Sequence, residues 1–415
     1  MKFRKFGRAS LAAVVSLGMA AGISACGISN TVDYVYVINS KQNPGLVYVY
    51  DADSQSGALT PISNSPYPSG GRNPVAVVTS PNYKNLYVLN HDDNTLVQFT
   101  IGTDAKLYPQ HTYNTPGTFP NAMAINSAGT LLFVTDTYQP QYTAANPGPG
   151  ALVVYPVNTD GSLGSPVANG NLAYYPLSTS LTNVLNPTAV NSLTNGNGLV
   201  YVVDQNASTG LGSISAFSVG TGGALTPVAC SSTAAICSTT GDGTFNAGTT
   251  PNSIASTPKG LFLYVTDSAN NQLISYTVQS SGQIVPSQDG PTRTDVFPDS
   301  VVVDPRGMYI YVANYNAASI SAYSINTGTG YPTGVASAGT YATGGAGPTC
   351  IFVEPALGRY VYTTNFLDGS VGGQNLNPNT GALTATQNSP YLSAGQPTCM
   401  AAVPHGNHPL STPVT

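Results

Sequence analysis

Carboxylate, imidazole and guanidinium groups are the side chains of this sequence with the chemistry for hydrolysis. Asp299, with Asp295 close by in the sequence, is the first candidate for a general base that activates water. The same two carboxylates are candidate ligands for Ca²⁺, which prefers oxygen. His91 is a second candidate base, and Arg72 is a candidate for polarising a carbonyl group. For each of these four residues, a solvated or structural role is the alternative.

A sevenfold internal repeat must position these candidates. Each unit has a proline, an apolar strand, a Pro/Gly turn and then the motif aromatic-Val-x-Asn/Asp. A unit of about 47 residues is long enough for the four short strands of one propeller blade. We therefore predict an all-β, seven-bladed β-propeller with four-stranded antiparallel blades. The proline anchors are Pro74, Pro120, Pro187, Pro251, Pro298, Pro348 and Pro397, and the signatures begin at Tyr36, Tyr87, Phe133, Tyr201, Tyr264, Tyr311 and Tyr362.

The two ends of the repeat array are incomplete in complementary ways. Residues 35–62 supply a second, third and fourth strand without a first, and residues 397–403 supply a first strand with nothing after it. Pairing them completes the seventh blade and leaves no unpaired sheet edge. We predict a propeller over residues 33–404, followed by a tail over 405–415.

Residues 297–307 (FPDSVVVDPRG), followed by residues 309–314 (YIYVAN), resemble the lactonase family of seven-bladed propellers. That family includes the 6-phosphogluconolactonases, and the YVTN-repeat proteins are similar. The resemblance implies lactone hydrolysis. One departure matters: relatives often carry Gly-Pro-Arg-His on a first strand, whereas this chain has Gly347-Pro348-Thr349-Cys350. The roles of that Arg and His cannot be carried over.

The residue after each anchor proline should lie at the mouth of the central channel. Most of these residues are polar, so we predict a polar mouth that binds a small neutral, sugar-like ligand, with solvated strand starts as the alternative. An excess of aspartates on the same face should repel anionic substrates. The long segments 137–150, 164–186 and 226–250 should also lie on this face, as binding loops or tolerated insertions. The predicted ligand-binding residues are Asn121, Thr188, Asn252, Thr349 and Thr398.

The first 25 residues have the pattern of a secretory signal: a cationic start, a short apolar run and small residues. The sequence Ile23-Ser24-Ala25-Cys26 resembles the lipobox of bacterial lipoproteins, in which the cysteine is acylated, and an ordinary signal peptide is the alternative. We expect residues 1–25 to be the signal peptide, Cys26 the lipidated residue and 26–32 a linker. The protein is then exported to the cell envelope, at the outer membrane or in the periplasm, with the lipid as its only membrane attachment.

The remaining cysteines have different expectations. Cys230 and Cys237 bracket a short polar loop, and we expect a local disulfide, which an exported protein permits. Cys350 and Cys399 hold equivalent places in adjacent blades; they could form a disulfide, but we expect small buried thiols.

Two functions stay open. One is a lactonase-type hydrolase acting on an uncharged lactone, without a certain cofactor. The other is a non-catalytic module that binds a glycan, a peptide or an envelope protein. A net charge of −5 with scattered basic residues argues against nucleic acid as a partner, and we expect a monomer.

Overall fold

The computed structural model describes residues 30–181, 183–193, 198–231, 237, 243–335 and 339–406. The strands in its first half are β1 (Thr31–Asn39), β2 (Leu46–Asp53), β3 (Leu59–Pro61), β4 (Tyr67–Pro68), β5 (Pro74–Thr79), β6 (Asn85–Asn90), β7 (Thr95–Ile101), β8 (Leu107–Asn114), β9 (Thr118–Ile125), β10 (Leu131–Tyr138), β11 (Ala151–Pro156), β12 (Tyr175–Pro176), β13 (Leu185–Ser192), β14 (Leu199–Asn206), β15 (Gly212–Val219), β16 (Leu225–Pro227) and β17 (Phe245–Asn246).

The second half continues the same succession of short strands. They are β18 (Pro251–Ser256), β19 (Phe262–Asp267), β20 (Gln272–Val278), β21 (Ile284–Pro286), β22 (Thr292–Arg293), β23 (Pro298–Val303), β24 (Tyr309–Asn314), β25 (Ser319–Ile325), β26 (Pro332–Gly334), β27 (Thr340–Ala342), β28 (Pro348–Val353), β29 (Tyr360–Asn365), β30 (Ser370–Leu376), β31 (Leu383–Ala385), β32 (Tyr391–Leu392) and β33 (Pro397–Pro404). Among the described residues, one short 3₁₀ turn at Thr221–Gly223 is helical, and no helix has the length and apolar character to cross a membrane.

Seven antiparallel sheets form the seven blades, which confirms the predicted fold. Blade 1 has the order β33-β1-β2-β3, and blades 2 to 7 begin at β5, β9, β13, β18, β23 and β28. In five blades the fourth strand is broken into two pieces that both pair with the third strand, as β21 and β22 do with β20. The first strands of neighbouring blades contact one another around the ring.

The ring closes by pairing the two ends of the propeller, as the incomplete repeats predict. β1 pairs antiparallel with β33, with Tyr34 opposite Val403 and Ile38 opposite Cys399. Without β33, the inner edge of β1 would be unpaired, so completion of blade 1 depends on both ends of the propeller.

The signature residues of the repeat hold neighbouring blades together. Alternate residues of each second strand pack on opposite sides, so that Val265 lies in the cluster toward blade 4 and Tyr264 in the cluster toward blade 6. The tyrosine hydroxyl also donates to a backbone carbonyl in the third-to-fourth turn of the next blade. These bonds are Tyr36 to Ala105 (3.1 Å), Tyr87 to Gly161 (2.7 Å), Tyr201 to Gly282 (3.0 Å), Tyr264 to Gly330 (2.8 Å), Tyr311 to Gly381 (2.9 Å) and Tyr362 to Gly57 (2.9 Å).

A glycine supplies the accepting carbonyl in five of these six turns, and Ala105, with a φ of 62°, supplies it in the sixth. Gly330 has a φ of 72°, and a Cβ atom there would lie 2.2 Å from the ring of Phe262. In blade 3, Phe133 replaces the tyrosine, so the bond to the turn of blade 4 is missing. The fixed pairing of aromatic residue and turn explains why the repeat is visible in the sequence.

The connections divide between two faces of the ring. We call the face with the second-to-third and fourth-to-first connections the top face. Residues 139–150, between β10 and β11, form a long second-to-third connection on the top face. The other two long stretches, from β11 to β13 and from β16 to β18, contain the outer strands β12 and β17 and reach the top face where they lead into β13 and β18. Part of the third, residues 232–236 and 238–242, lies outside the described residues, as does Asp242.

Candidate functional site

Every first strand has a β-bulge directly after its anchor proline. In blade 6, Pro298 pairs with Asn314 and Ser300 with Ala313, so Asp299 has no partner on β24. The same shift in register occurs in the other six blades. Bulges re-aim side chains and are frequent next to active sites. The bulge residues are Val75, Asn121, Thr188, Asn252, Asp299, Thr349 and Thr398.

Five bulge residues link their blade to the next one; we call this set the bulge belt. Each places its side-chain amide or hydroxyl group against an acceptor in the neighbouring first strand. The contacts are Asn121 Nδ2 to Pro187 O, Thr188 Oγ1 to Pro251 O (2.8 Å), Asn252 Nδ2 to Asp299 Oδ1 (2.8 Å), Thr349 Oγ1 to Thr398 O (3.0 Å) and Thr398 Oγ1 to Pro74 O (2.7 Å).

The predicted ligand-binding residues are thus brought together around the mouth, but they already have protein partners. The hydroxyl hydrogens of Thr188 and Thr398 are directed at the neighbouring blade. These five side chains therefore hold the blades together at the mouth. Among the seven bulge residues, Asp299 is the one with a charged side chain.

Asp299 has the environment of a proton acceptor. Burial raises its pKa from 3.8 to about 6, and the hydrogen bond from Asn252 opposes part of that rise. The amide of Asn252 directs Nδ2 at the carboxylate, and its Oδ1 atom lies 3.3 Å from Ser268 Oγ, whose nearer acceptor is Thr250 O at 3.1 Å. A carboxyl group with a pKa just below neutral is mostly ionised at pH 7 and can still hold a proton briefly.

A second layer of links lies one residue further along the first strands. Ser253 Oγ accepts from Val301 N at 3.2 Å, and Ser300 Oγ accepts from Ile351 N at 3.2 Å. At the next junction Cys350 and Cys399 form a disulfide, with their Cα atoms 5.0 Å apart. The expectation of free thiols is wrong: equivalent positions on adjacent first strands lie within disulfide reach. Cys230 and Cys237 are also joined by a disulfide.

An aromatic pair, which we call the aromatic wall, begins just before Asp299 in the chain, and sequence reasoning missed it. Phe297 packs on Tyr315 with ring centroids 5.9 Å apart. Phe297 has a φ of 59°, a conformation that is unusual for a bulky residue, and Asn271 Oδ1 holds it by accepting its backbone N–H at 2.8 Å. Strained backbone of this kind is concentrated at functional sites. The available signal was an aromatic residue directly before an anchor proline, which Phe119 repeats in blade 3 with a φ of 56°.

Arg72 and His91 lie apart from Asp299, because both belong to blade 2, nearly across the ring from blade 6. Arg72 Nε contacts Asp93 Oδ1 at 2.7 Å, and His91 Nδ1 contacts Asp92 Oδ1 at 2.7 Å. These contacts brace the loop before Pro74 against the second-to-third turn. The structure therefore does not unite the four candidate catalytic residues in one site.

Asp295 has a local structural role. Its Oδ2 atom accepts from Ser319 Oγ at 2.8 Å, and its Oδ1 atom accepts from Val296 N at 2.9 Å. No three His, Cys, Asp or Glu side chains of the described ranges come together as metal ligands. The possible Ca²⁺ site at Asp295 and Asp299 thus finds no third ligand among those side chains.

The top face carries less negative charge than its aspartates suggest. Asp136, Asp204 and Asp267 lie at or within two residues of the ends of second strands and are fully buried. They tie loops to the blade: Gly117 N donates to Asp136 (2.8 Å), and Thr250 N donates to Asp267 (3.0 Å). Burial raises the pKa of Asp136 and of Asp204 to about 7, so neither is fully ionised at neutral pH.

Comparisons with known proteins agree with this architecture. A family model described as "Lactonase, 7-bladed beta-propeller" matches residues 28–145 and 232–340. No curated protein matches the sequence.

Solved structures of similar fold share little sequence with this chain. A Bacteroides fragilis structure described as a "putative 6-phosphogluconolactonase" is 17% identical, with a TM-score of 0.68, and the match covers 91% of this chain and 99% of that one. A periplasmic gluconolactonase of Pseudomonas aeruginosa is 17% identical, with a TM-score of 0.67 and coverage of 90% and 99%. A hydrazine synthase structure from Kuenenia stuttgartiensis reaches 0.55 at 13% identity, with coverage of 84% and 95%. At such identities the likeness extends to the fold alone.

Proposed function

Because this chain belongs to the lactonase family of seven-bladed β-propellers, we propose that it hydrolyses an uncharged, sugar-like lactone at the channel mouth. The observation that carries the proposal is the carboxyl group of Asp299. It lies on a β-bulge at the mouth, accepts a hydrogen bond from Asn252 and has a pKa of about 6. A general base works best when its pKa lies near the working pH.

The reaction needs one proton carrier. Ionised Asp299 accepts a proton from a water molecule while the water oxygen bonds to the lactone carbonyl carbon. The tetrahedral intermediate then collapses with cleavage of the ring C–O bond, and the proton on Asp299 passes to the alkoxide that leaves. One water is consumed and one hydroxy acid is formed, so Asp299 ends the cycle ionised.

The surroundings of Asp299 favour a neutral substrate. Thr349 and Cys350 occupy the positions at which relatives often carry Arg and His, and Cys350 is held in a disulfide. Arg72 is paired with Asp93 on blade 2. A phosphorylated or carboxylated lactone would face the Asp299 carboxylate without a cation at these positions to offset the repulsion. The Phe297–Tyr315 wall offers contact to the apolar face of a sugar-like ring.

A panel of neutral lactones, assayed with the chain lacking residues 1–26, tests the proposal. Asp299→Ala should lower turnover at least about 100-fold. In the wild-type protein, kcat/KM should fall as the pH drops through about 6, because protonated Asp299 accepts no proton. A chelator should leave turnover unchanged.

The pH profile of Asn252→Ala provides a sharper check on the assignment. The hydrogen bond from Asn252 stabilises the ionised carboxylate. Removing it should therefore shift the acidic limb of the kcat/KM profile to higher pH. Thr188→Ala is the matched control, since it removes another contact of the bulge belt without touching Asp299. If kcat/KM of Asn252→Ala falls at the same pH as in the wild type, Asp299 is excluded as the base.

We further propose that the protein is exported and held at the cell envelope as a monomer by a lipid on Cys26, a residue outside the described range. Two disulfides suit an oxidising compartment. Cys26→Ala should release the protein from the membrane fraction; an unchanged distribution would contradict anchoring at this residue.

A non-catalytic binding module is the second candidate, favoured by the missing Arg-His pair and the long connections on the top face. Its ligand would be a glycan, a peptide or an envelope protein. No turnover on any lactone, together with binding that fails when the 226–250 segment is shortened, would favour this function over hydrolysis.

A further inference from the structure

A groove on the outer top rim of blade 5 lies away from the channel. One part is a cavity of about 320 Å³ lined by Asn270, Asn271, Gln272, Pro291 and Arg293. A second part of about 220 Å³ shares Gln272 and Pro291 with it and extends toward blade 4. We call the two parts together the rim groove. None of the bulge residues lines it. Asn271 is the lining residue that also touches the proposed hydrolytic site, since its Oδ1 atom accepts from Phe297 N.

Buried Asp267 organises the amides of the rim groove. Its Oδ2 atom accepts from Asn270 Nδ2 at 2.8 Å and from Gln272 Nε2 at 2.9 Å. The amide nitrogens are thereby held by the protein, and the carbonyl oxygens Oδ1 of Asn270 and Oε1 of Gln272 are left as acceptors. Gly248 permits the close approach of this network, because a Cβ atom there would lie 2.3 Å from Asp267 Oδ2.

Arg293 brings positive charge to the same groove. It is exposed and lies on β22 opposite Gln272. Arg72 and Arg306 are ion-paired with Asp93 and Asp304, whereas Arg293 has no carboxylate within ion-pair distance among the residues that the structure describes. Its guanidinium is therefore available as a two-pronged donor, the geometry that matches a carboxylate.

The second part of the groove adds apolar surface. Ile274 and Tyr276 line it together with Pro286 and Asn246. The Tyr276 hydroxyl is used internally, donating to Asn246 O at 2.7 Å, and its side chain is buried, so the accessible apolar surface comes mainly from Pro286 and Pro291. A cation, oriented acceptors and an apolar flank in a site of this volume suit a polyhydroxylated ring with an acidic substituent.

We propose that the rim groove binds an acidic saccharide of the uronic-acid class. The Arg293 guanidinium bonds the sugar carboxylate, Asn270 and Gln272 accept hydrogen bonds from sugar hydroxyls, and Ile274 and the prolines contact the C–H face of the next ring. This site does not depend on hydrolysis at the channel mouth. It would hold the propeller on an anionic polysaccharide while the channel stays open to neutral lactones.

Calorimetric titration of the protein lacking residues 1–26 with trigalacturonate, and with neutral maltotriose as the comparison ligand, tests the proposal. Trigalacturonate should bind and maltotriose should bind at least about tenfold more weakly. Arg293→Gln should weaken trigalacturonate binding at least about tenfold. Arg359→Gln is the matched control: it removes the same charge from an exposed position in the first-to-second turn of blade 7, on the opposite face, and should leave binding unchanged.

A second variant, Gln272→Ala, should also weaken binding, and urea unfolding verifies that each variant is folded. Three results would overturn the proposal: no binding of trigalacturonate, equal binding of maltotriose, or wild-type binding by folded Arg293→Gln. Lactone turnover by Arg293→Gln should match the wild type, so the outcome is independent of whether Asp299 is catalytic.

Discussion

Replacing Asp299 by asparagine should stabilise the protein at neutral pH while it removes the proposed base. Burial raises the pKa of Asp299 from 3.8 to about 6, so the native state holds this proton more tightly than the unfolded chain does. Between pH 3.8 and about 6 the unfolded state therefore loses the proton first, and the free energy of unfolding falls as the pH rises. Well above pH 6 the carboxyl group is ionised in both states, so the free energy of unfolding no longer changes with pH through this group.

The size of this effect follows from the two pKa values. Each pKa unit corresponds to about 1.4 kcal/mol, so the cost of ionised Asp299 above pH 6 is about 3 kcal/mol. Asparagine has the same shape, keeps an oxygen for the bond from Asn252 and carries no charge. We expect Asp299→Asn to gain about 1–3 kcal/mol over the wild type at pH 8 and to lose that advantage near pH 4.

Urea unfolding at pH 4, 6 and 8 measures the difference, with the midpoint and slope fitted at each pH. Asp295→Asn is the matched control, because Asp295 is a nearby acid bonded to Ser319 and Val296 outside the channel. Its replacement should bring no gain at pH 8. A difference between wild type and Asp299→Asn that does not change with pH, or a loss of stability at pH 8, would refute the reasoning.

Three further predictions concern the ring itself. Tyr264→Phe leaves the buried carbonyl of Gly330 without its donor and should lower the free energy of unfolding by about 1–2 kcal/mol, whereas Tyr108→Phe, at a side chain 48% exposed, should change nothing measurable. Cys399→Ser removes a disulfide with a sequence separation of 49 and should lower the free energy of unfolding by about 4 kcal/mol. Cys237→Ser removes one with a separation of 7 and should lower it by about 2 kcal/mol. A calorimetric scan checks each pair; equal losses at the two cysteines would contradict the loop-length argument. Deleting β33 removes the partner of β1 and should abolish cooperative unfolding of the whole propeller, so a truncated chain that melts like the intact one would mean that the ring does not close there.

The fold could be predicted because residues at the same signature position make the same kind of contact in most of the blades. Tyr264 bonds the next blade, Val265 packs toward the previous one, and Asp267 ends the strand by holding the loop of the top face. Since six of the seven blades repeat the tyrosine bond, the pattern is stronger than any single segment could make it. Ring closure followed from the same reasoning, because each end of the array lacked what the other supplied.

The site was harder to predict because its contacts run between blades. The bulge at Asp299 depends on the pairing of β23 with β24. The anchor proline marks its position in every blade, but the sequence alone does not show the shift in register. The bond from Asn252 joins neighbouring first strands, whereas Asp295, closer to Asp299 in sequence, turns to Ser319. Arg72 and His91 were chosen by side-chain chemistry alone, which does not show that they belong to blade 2 and contact Asp93 and Asp92.

The bulge belt explains how the ring accommodates a carboxylate at the position of Asp299. At the junctions after blades 3, 4, 5, 7 and 1, the bulge residue donates to the next blade, and the ring is stabilised by each bond. An ionised carboxylate accepts but cannot donate, so Asp299 receives the bond from Asn252 and passes none to blade 7. Blades 6 and 7 are joined instead by the bond from Ile351 N to Ser300 Oγ. The bulge belt is therefore interrupted at this junction, which leaves the carboxylate of the proposed general base with Asn252 as its partner in the belt.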